Sequence, residues 1–176
     1  EWFFTIIGVK YTTCRFLAEK VVDLAFNKLG RASPKIMTES TPLTGGDIES
    51  FEEFMGHAVR GRPVGFDETM MRHLVRNYGS DYAAITGLAK QDPMLGARIP
   101  GSPEVVKAEV VHAVRHESAL RLEDVVLRRT DLGTLGHPGR AALDACAEIM
   151  GVELGWDAAR RQRELEAVEQ RFVFPG

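Results

Sequence analysis

The sequence predicts a mainly α-helical protein: a compact helical domain preceded by one strand and one helix. Three observations predict it. A short aromatic and β-branched run, residues 2–7, stands at the start and has strand composition. From Asp47 onward, apolar residues recur at helical spacing between capping residues and glycine or proline stops. No second run of strand quality follows, and there is no repeat or low-complexity tract. Residues 1–30 therefore read as strand and helix, 31–46 as a linker, and 47–176 as six or seven helices of ordinary length.

The opening segment carries the clearest chemistry. After the strand, Gly8 allows a sharp turn or close approach of the backbone to a ligand. Lys10 follows, and Thr12 or Thr13 is placed to cap a helix over residues 13–29 that Gly30 stops. Leu17, Val21, Leu24, Ala25 and Lys28 fall on one face of that helix. Free N-terminal amides, the helix dipole and the Lys10 ammonium together favour an anion. The competing reading is an ordinary strand-to-helix connection with a solvated lysine.

The linker holds Pro34, Pro42, Gly45 and Gly46. Asp47 is expected to cap a helix with Ile48, Phe51, Phe54, Met55, Ala58 and Val59 facing inward, ended by Gly61-Arg62-Pro63. Asp67 caps the next, carrying Met70, Met71, Leu74, Val75 and Tyr78 and stopped by Gly79. Ser80 is expected to cap a short helix with Ile85 and Leu88, before a loop over 92–101. Ser102-Pro103-Glu104 reads as a helix start, with Val106, Val110, Ala113 and Val114 following. A helical piece over 122–130 closes near Gly133. Pro138 opens a helix with Leu143, Cys146, Ala147 and Met150, which Gly151 is expected to stop. Asp157 caps the last, with Leu165, Val168 and Phe172 on one face.

Composition narrows the function classes. The 176 residues carry 22 Lys and Arg against 25 Asp and Glu, a net charge of −3, which argues against a general nucleic-acid or anionic-membrane binder. Cys14 and Cys146 form neither a metal spacing nor a disulfide framework, so a reducing cytoplasm is expected. No membrane-spanning run or signal peptide is visible. The chain opens on Glu1 within an apolar run, so residue 1 is expected to be a cut point in a longer protein.

Other clusters have plainer readings. His112 and His116 stand four apart, but without a third ligand or a zinc-protease glutamate they are expected to pack or to cap and not to bind metal. Arg128 and Arg129 could grip a phosphate, though pairing with Glu117, Glu123 or Asp124 is the preferred reading. Arg160, Arg161 and Arg163 read as a solvated face balanced by Glu166 and Glu169. Neither GxGxxG nor GxxxxGK[ST] is present.

Residues 8–19, Gly-Val-Lys-Tyr-Thr-Thr-Cys-Arg-Phe-Leu-Ala-Glu, resemble the Gly-Gly-Lys-x-Thr-Thr-x-Arg-x-x-Ala-Glu signature of FAD-dependent glycerol-3-phosphate dehydrogenases. Three later segments resemble that family in the same order: Arg76-Asn77-Tyr78-Gly79, the Ala108-Glu109-Val110 to His116-Glu117 helix, and Leu122 through Arg128-Arg129-Thr130 to Gly133. Gly155-Trp156-Asp157 matches a run near the family's C-terminus. The resemblance covers nearly the whole chain.

It implies that residues 1–30 end an FAD-binding domain and that the rest is a helical C-terminal domain, with the dinucleotide loop lying upstream. The implied reaction oxidises glycerol 3-phosphate to dihydroxyacetone phosphate, passing hydride to FAD and electrons to quinone. The implied enzyme sits peripherally at the cytoplasmic membrane, and a homodimer is an open expectation. Lys10 carries over as the catalytic cation, and Gly8, Lys10, Tyr11, Thr12 and Thr13 as cofactor contacts. Val9 departs from the signature, since its Cβ narrows the approach that a second glycine would allow. Two alternatives stand beside this reading: a related flavin oxidase, and a non-catalytic helical interaction module.

Overall fold

A computed structural model describes residues 3–8 and 10–173. The chain divides into two compact units, residues 1–43 and 44–176.

In the first unit, Phe3 to Gly8 form no strand. A strand needs a neighbour for its N–H and C=O groups, and no ladder exists among the described residues. Phe3 and Ile7 are accordingly exposed, not buried as the composition suggested. Trp2, the first residue of the expected strand, lies outside the described residues. A 3₁₀ turn, Tyr11–Thr13, leads into helix α1, Cys14–Lys28. Leu29 closes it, and Gly30 follows at φ 66°, the expected stop. Leu17, Val21 and Ala25 are half-buried, while Leu24 and Lys28 of the same predicted face stay exposed.

Apart from one isolated antiparallel bridge, Arg98–Val106, the described residues of the second unit form helices, turns and loops: α2 (Phe51–Arg60), α3 (Glu68–Tyr78), α4 (Tyr82–Gln91), α5 (Lys107–Glu117), α6 (Leu122–Asp124, continuing as a π turn over Val125–Arg129), α7 (Arg140–Leu154) and α8 (Ala158–Arg171). α5 is the central element. Six consecutive residues, Ala108 to Ala113, are buried, which a helix shows only when it is covered all round. Ala108 joins a core built by Met55, Met70, Met71, Leu74, Val75 and Ile85 of α2, α3 and α4. Val110 and Ala113 join a second core with Leu122, Val126, Leu143, Cys146, Met150 and Val168 of α6, α7 and α8.

Some expected boundaries move, each for a local reason. α2 begins at Phe51 with Ser50 at its N-cap, not at Asp47; Ile48 and Phe51 stay partly exposed while Met55 and Ala58 are buried. Asp67 caps α3 as expected, its Oδ1 accepting from the Met70 N–H at 3.0 Å. A 3₁₀ turn, Gly79–Asp81, replaces the expected Ser80 cap before α4.

Ser102-Pro103-Glu104 does not open a helix. The Ser102 hydroxyl accepts from the N–H groups of Glu104 and Val105, stabilising a turn, and α5 starts only at Lys107. Val106 therefore stands at the N-cap in extended geometry, where its N–H donates to Glu109 Oε1 at 2.7 Å. Gly151 does not stop α7, which runs on to Gly155 at φ 65°. Gly151 is needed for space: a Cβ there would lie 3.1 Å from the Arg161 guanidinium.

Arg160 and Arg161 are accordingly half-buried, not a freely solvated face. Arg160 pairs with Glu164 at 2.7 Å and lies over the Trp156 ring. Glu166 accepts from Gln162, and Glu169 pairs with His137 at 2.7 Å. No helix among the described residues is long and apolar enough to cross a membrane.

Candidate functional site

The sequence-predicted site falls in the first unit. Lys10 has extended backbone, φ −128° and ψ 125°, and leads into the Tyr11–Thr13 turn. Tyr11 and Thr12 occupy the first two positions of that turn, where backbone N–H groups have no intrahelical acceptor. Thr13 does not act as the expected side-chain cap. Its Oγ1 donates to the Lys10 carbonyl at 2.9 Å, and its N–H reaches the same oxygen at 3.2 Å. The bonds fix the turn that presents Lys10 and leave Tyr11 almost wholly exposed, at 94%. Lys10, Thr12 and Thr13 are exposed as well.

Gly8 has no left-handed backbone. Its smallness serves the approach of Leu17, whose Cδ1 would lie 3.1 Å from an added Cβ. Val9 lies outside the described residues. The arrangement offers one ammonium and two backbone donors, a donor set suited to an anionic edge.

The second unit contains a polar centre that periodicity did not reveal. Glu109 is fully buried on α5. Besides the Val106 N–H, its carboxylate accepts from the Tyr78 hydroxyl at 3.0 Å and lies 2.9 Å from His73 Nε2. His73 Nδ1 faces Glu104 at 3.1 Å and Asp131 at 3.6 Å. Burial works against a charged His73, but its carboxylate neighbours outweigh that and raise its pKa above the ordinary value. Burial, then Glu109, pushes the Tyr78 hydroxyl far up, and Glu117 and Asp131 add to the push.

Tyr78, Glu109 and Asp131 of this centre come from the three later segments that carry the family resemblance, while His73, Glu104 and Val106 lie outside them. The sequence signal was available in Glu109 itself: an acid amid Ala108, Val110 and Val111 must find donors when the helix is buried.

The remaining candidates resolve as packing. The His112 ring meets Tyr78 edge-on at 5.6 Å and His116 at 4.9 Å. Burial depresses the His112 pKa. Among the described residues no group of three His, Cys, Asp or Glu is placed to hold a metal. Arg128 pairs with Asp124 at 2.7 Å and approaches Glu123 at 3.6 Å. Glu123 is also held by Arg171 at 2.9 Å, which lowers its pKa.

Residues 36–161 match the family model described as the C-terminal domain of alpha-glycerophosphate oxidase. The chain is 34% identical over 163 residues to glycerol-3-phosphate dehydrogenase 2 of Mycobacterium tuberculosis, covering 91% of this chain and 27% of that protein. It is 32% identical to the mitochondrial glycerol-3-phosphate dehydrogenase of Mus musculus, covering 97% of this chain and 23% of that one. It therefore spans about a quarter of the length of these relatives. The fold matches the Bacillus halodurans glycerol-3-phosphate dehydrogenase complexed with FAD, with a TM-score of 0.72 at 24% identity over 96% of this chain and 36% of that one. With its family match running from the linker into α8 and carried by a matching helical fold, this chain belongs to the family of the C-terminal domain of alpha-glycerophosphate oxidase.

Proposed function

We propose that this chain is the C-terminal portion of an FAD-dependent glycerol-3-phosphate dehydrogenase, with residues 1–30 contributing the end of its FAD-binding domain and residues 47–176 its helical domain. The observation that carries the proposal is similarity to glycerol-3-phosphate dehydrogenases over more than nine-tenths of the chain. FAD, when bound, supplies the hydride acceptor for oxidation of the substrate C2 alcohol.

The residues of this chain fit such a group on their donor set. Lys10 is the cation at the substrate junction, where it holds the substrate oxygen and stabilises the negative charge that grows as its proton leaves. The backbone donors of Tyr11 and Thr12 face negative charge on the cofactor, and Thr13 fixes their turn through the Lys10 carbonyl. Gly8 keeps the turn close to α1 through Leu17. Electrons then pass to a quinone, which places the whole enzyme peripherally at the cytoplasmic membrane, as a monomer or a homodimer. The 176 residues alone supply one wall of the active site and have no activity by themselves.

The test is made in the full-length protein. Adding glycerol 3-phosphate without air should bleach the flavin absorbance; a yellow protein that keeps its colour would remove glycerol 3-phosphate as the substrate. Lys10→Ala should lower kcat by about 10²-fold or more while flavin stays bound. Unchanged turnover would end the catalytic role of Lys10.

One observation favours a second reading: the matching family model is that of an oxidase domain. An oxidase passes its electrons to oxygen, so peroxide formed in step with substrate oxidation would replace the quinone acceptor.

A further inference from the structure

We propose that a groove over α5, between α4 and α7, is the contact surface for a second copy of this chain. The proposal goes beyond the open choice between monomer and homodimer, and it holds whatever the role of Lys10. The groove encloses about 410 Å³. α5 packs against both α4 and α7, and its buried Val111 lies at the floor. Ile149 and Val152 of α7 stand on one side, and Leu88 of α4 with Met94 and Leu95 of the 3₁₀ turn Pro93–Gly96 on the other. Arg115 on α5 grips Glu153 on α7 through two bonds, Nε to Oε2 at 2.7 Å and Nη2 to Oε1 at 2.8 Å, which fixes the α7 side.

Shape argues for a second copy over a small ligand. Leu88, Leu95 and Ile149 are half-buried, but Val152 is 78% exposed and Met94 68%. A ligand seated at the floor would leave both in water. A two-fold interface covers them, because it brings the same patch of each copy together and so sets each copy's projecting residues against the partner's groove. Groove and projections then form the apolar centre of the contact.

The charges have the same self-matching form. Lys107 opens α5 at the groove, and Glu148 lies on α7. Neither has an ion-pair partner among the described residues. Opposite charges on one self-facing patch pair twice across a two-fold axis, Lys107 of each copy with Glu148 of the partner subunit. Asp92 is exposed and holds the Met94 N–H at 2.9 Å, so it stays at the solvated rim. A patch of a single sign would repel its own copy; a mixed one selects it.

The experiment is sedimentation equilibrium of the full-length protein over a range of concentrations. The average mass should rise with concentration towards twice that of one chain. Val152→Asp puts a charge at the apolar centre and should weaken association at least about tenfold. Lys107→Glu and Glu148→Lys should each weaken it by about fivefold, and the two together should restore it, since the pair re-forms with its signs exchanged. Val152 and Glu148 are exposed, so unchanged thermal unfolding of their variants at low concentration separates lost association from lost folding.

A single-chain mass at every concentration would overturn the proposal. So would a dimer that Val152→Asp leaves intact, which would place the contact elsewhere. A double charge reversal no better than either single one would overturn the two-fold pairing and leave the groove to a different occupant.

Discussion

Glu109 is the residue on which the helical unit turns. A carboxylate with no solvent contact persists because Val106, Tyr78 and His73 all direct donors at it. Removing it leaves three buried donors unanswered. Glu109→Ala should cost about 3–5 kcal/mol of stability, read as a shifted urea midpoint; a loss below about 1 kcal/mol would show that water replaces the carboxylate. The cysteines give a second prediction. Cys146 is buried and its thiol pKa is pushed up to about 12, chiefly by burial and then by the Glu109 charge. Cys14 is exposed. A thiol reagent should therefore modify one cysteine in the native chain and the second only on unfolding. At this scale the sequence was partly legible. Asp67 announced its cap, and Met70, Met71, Leu74, Val75 and Tyr78 their burial, because both follow from local spacing. Glu109 did not announce its partners, which lie 31 and 36 residues away.

At the scale of elements, helix ends were legible where an aspartate makes the capping bond, and misplaced where another local bond or a close side-chain contact competes. α3 and α8 begin where Asp67 and Asp157 indicate, each aspartate accepting from the N–H three residues on. Ser102 has the same chemistry, yet it serves a turn, and α5 takes its cap from within through Glu109. Gly151 reads as a stop, but Arg161 claims its space. Residues 3–7 of the expected strand form none for a related reason, since composition supplies strand propensity but no partner among the described residues. Asp67→Ala should cost about 1 kcal/mol through the lost cap, with a further loss because Arg98 is freed from the same carboxylate. Gly79→Ala should cost more. Gly79 sits at φ 55° and packs its Cα side against the Gly45 carbonyl, which an added Cβ would strike. Thermal unfolding of the two variants should rank them in that order; the reverse order would show that the α3–α4 corner relaxes freely.

The stability of the whole helical unit should depend on pH with opposite signs on its two sides, because its buried histidines are shifted in opposite directions. His73 has a raised folded pKa, its carboxylates outweighing burial. Its contribution is complete below the ordinary value of 6.5 and is lost as pH rises through the folded pKa. His112 has a lowered pKa, chiefly from burial. The unfolded chain binds its proton first, so stability falls as pH drops from 6.5 through the depressed folded value. Asp67 and Glu123 are also depressed, Asp67 by the Met70 N–H and Arg98, Glu123 by Arg171. Their contributions are complete above the ordinary values of 3.8 and 4.5 and vanish at lower pH. These signs together place the maximum near pH 6.5, with a shallow acid limb from His112 that steepens where the carboxylates titrate. Urea midpoints measured across pH should trace that shape. His73→Gln should flatten the alkaline limb while lowering the whole curve, since Glu109 loses its cation. His112→Gln should flatten only the segment just below neutrality. If the alkaline limb survived in His73→Gln, its origin would lie outside the Glu109 network, and the central role given to that buried carboxylate would fall with it.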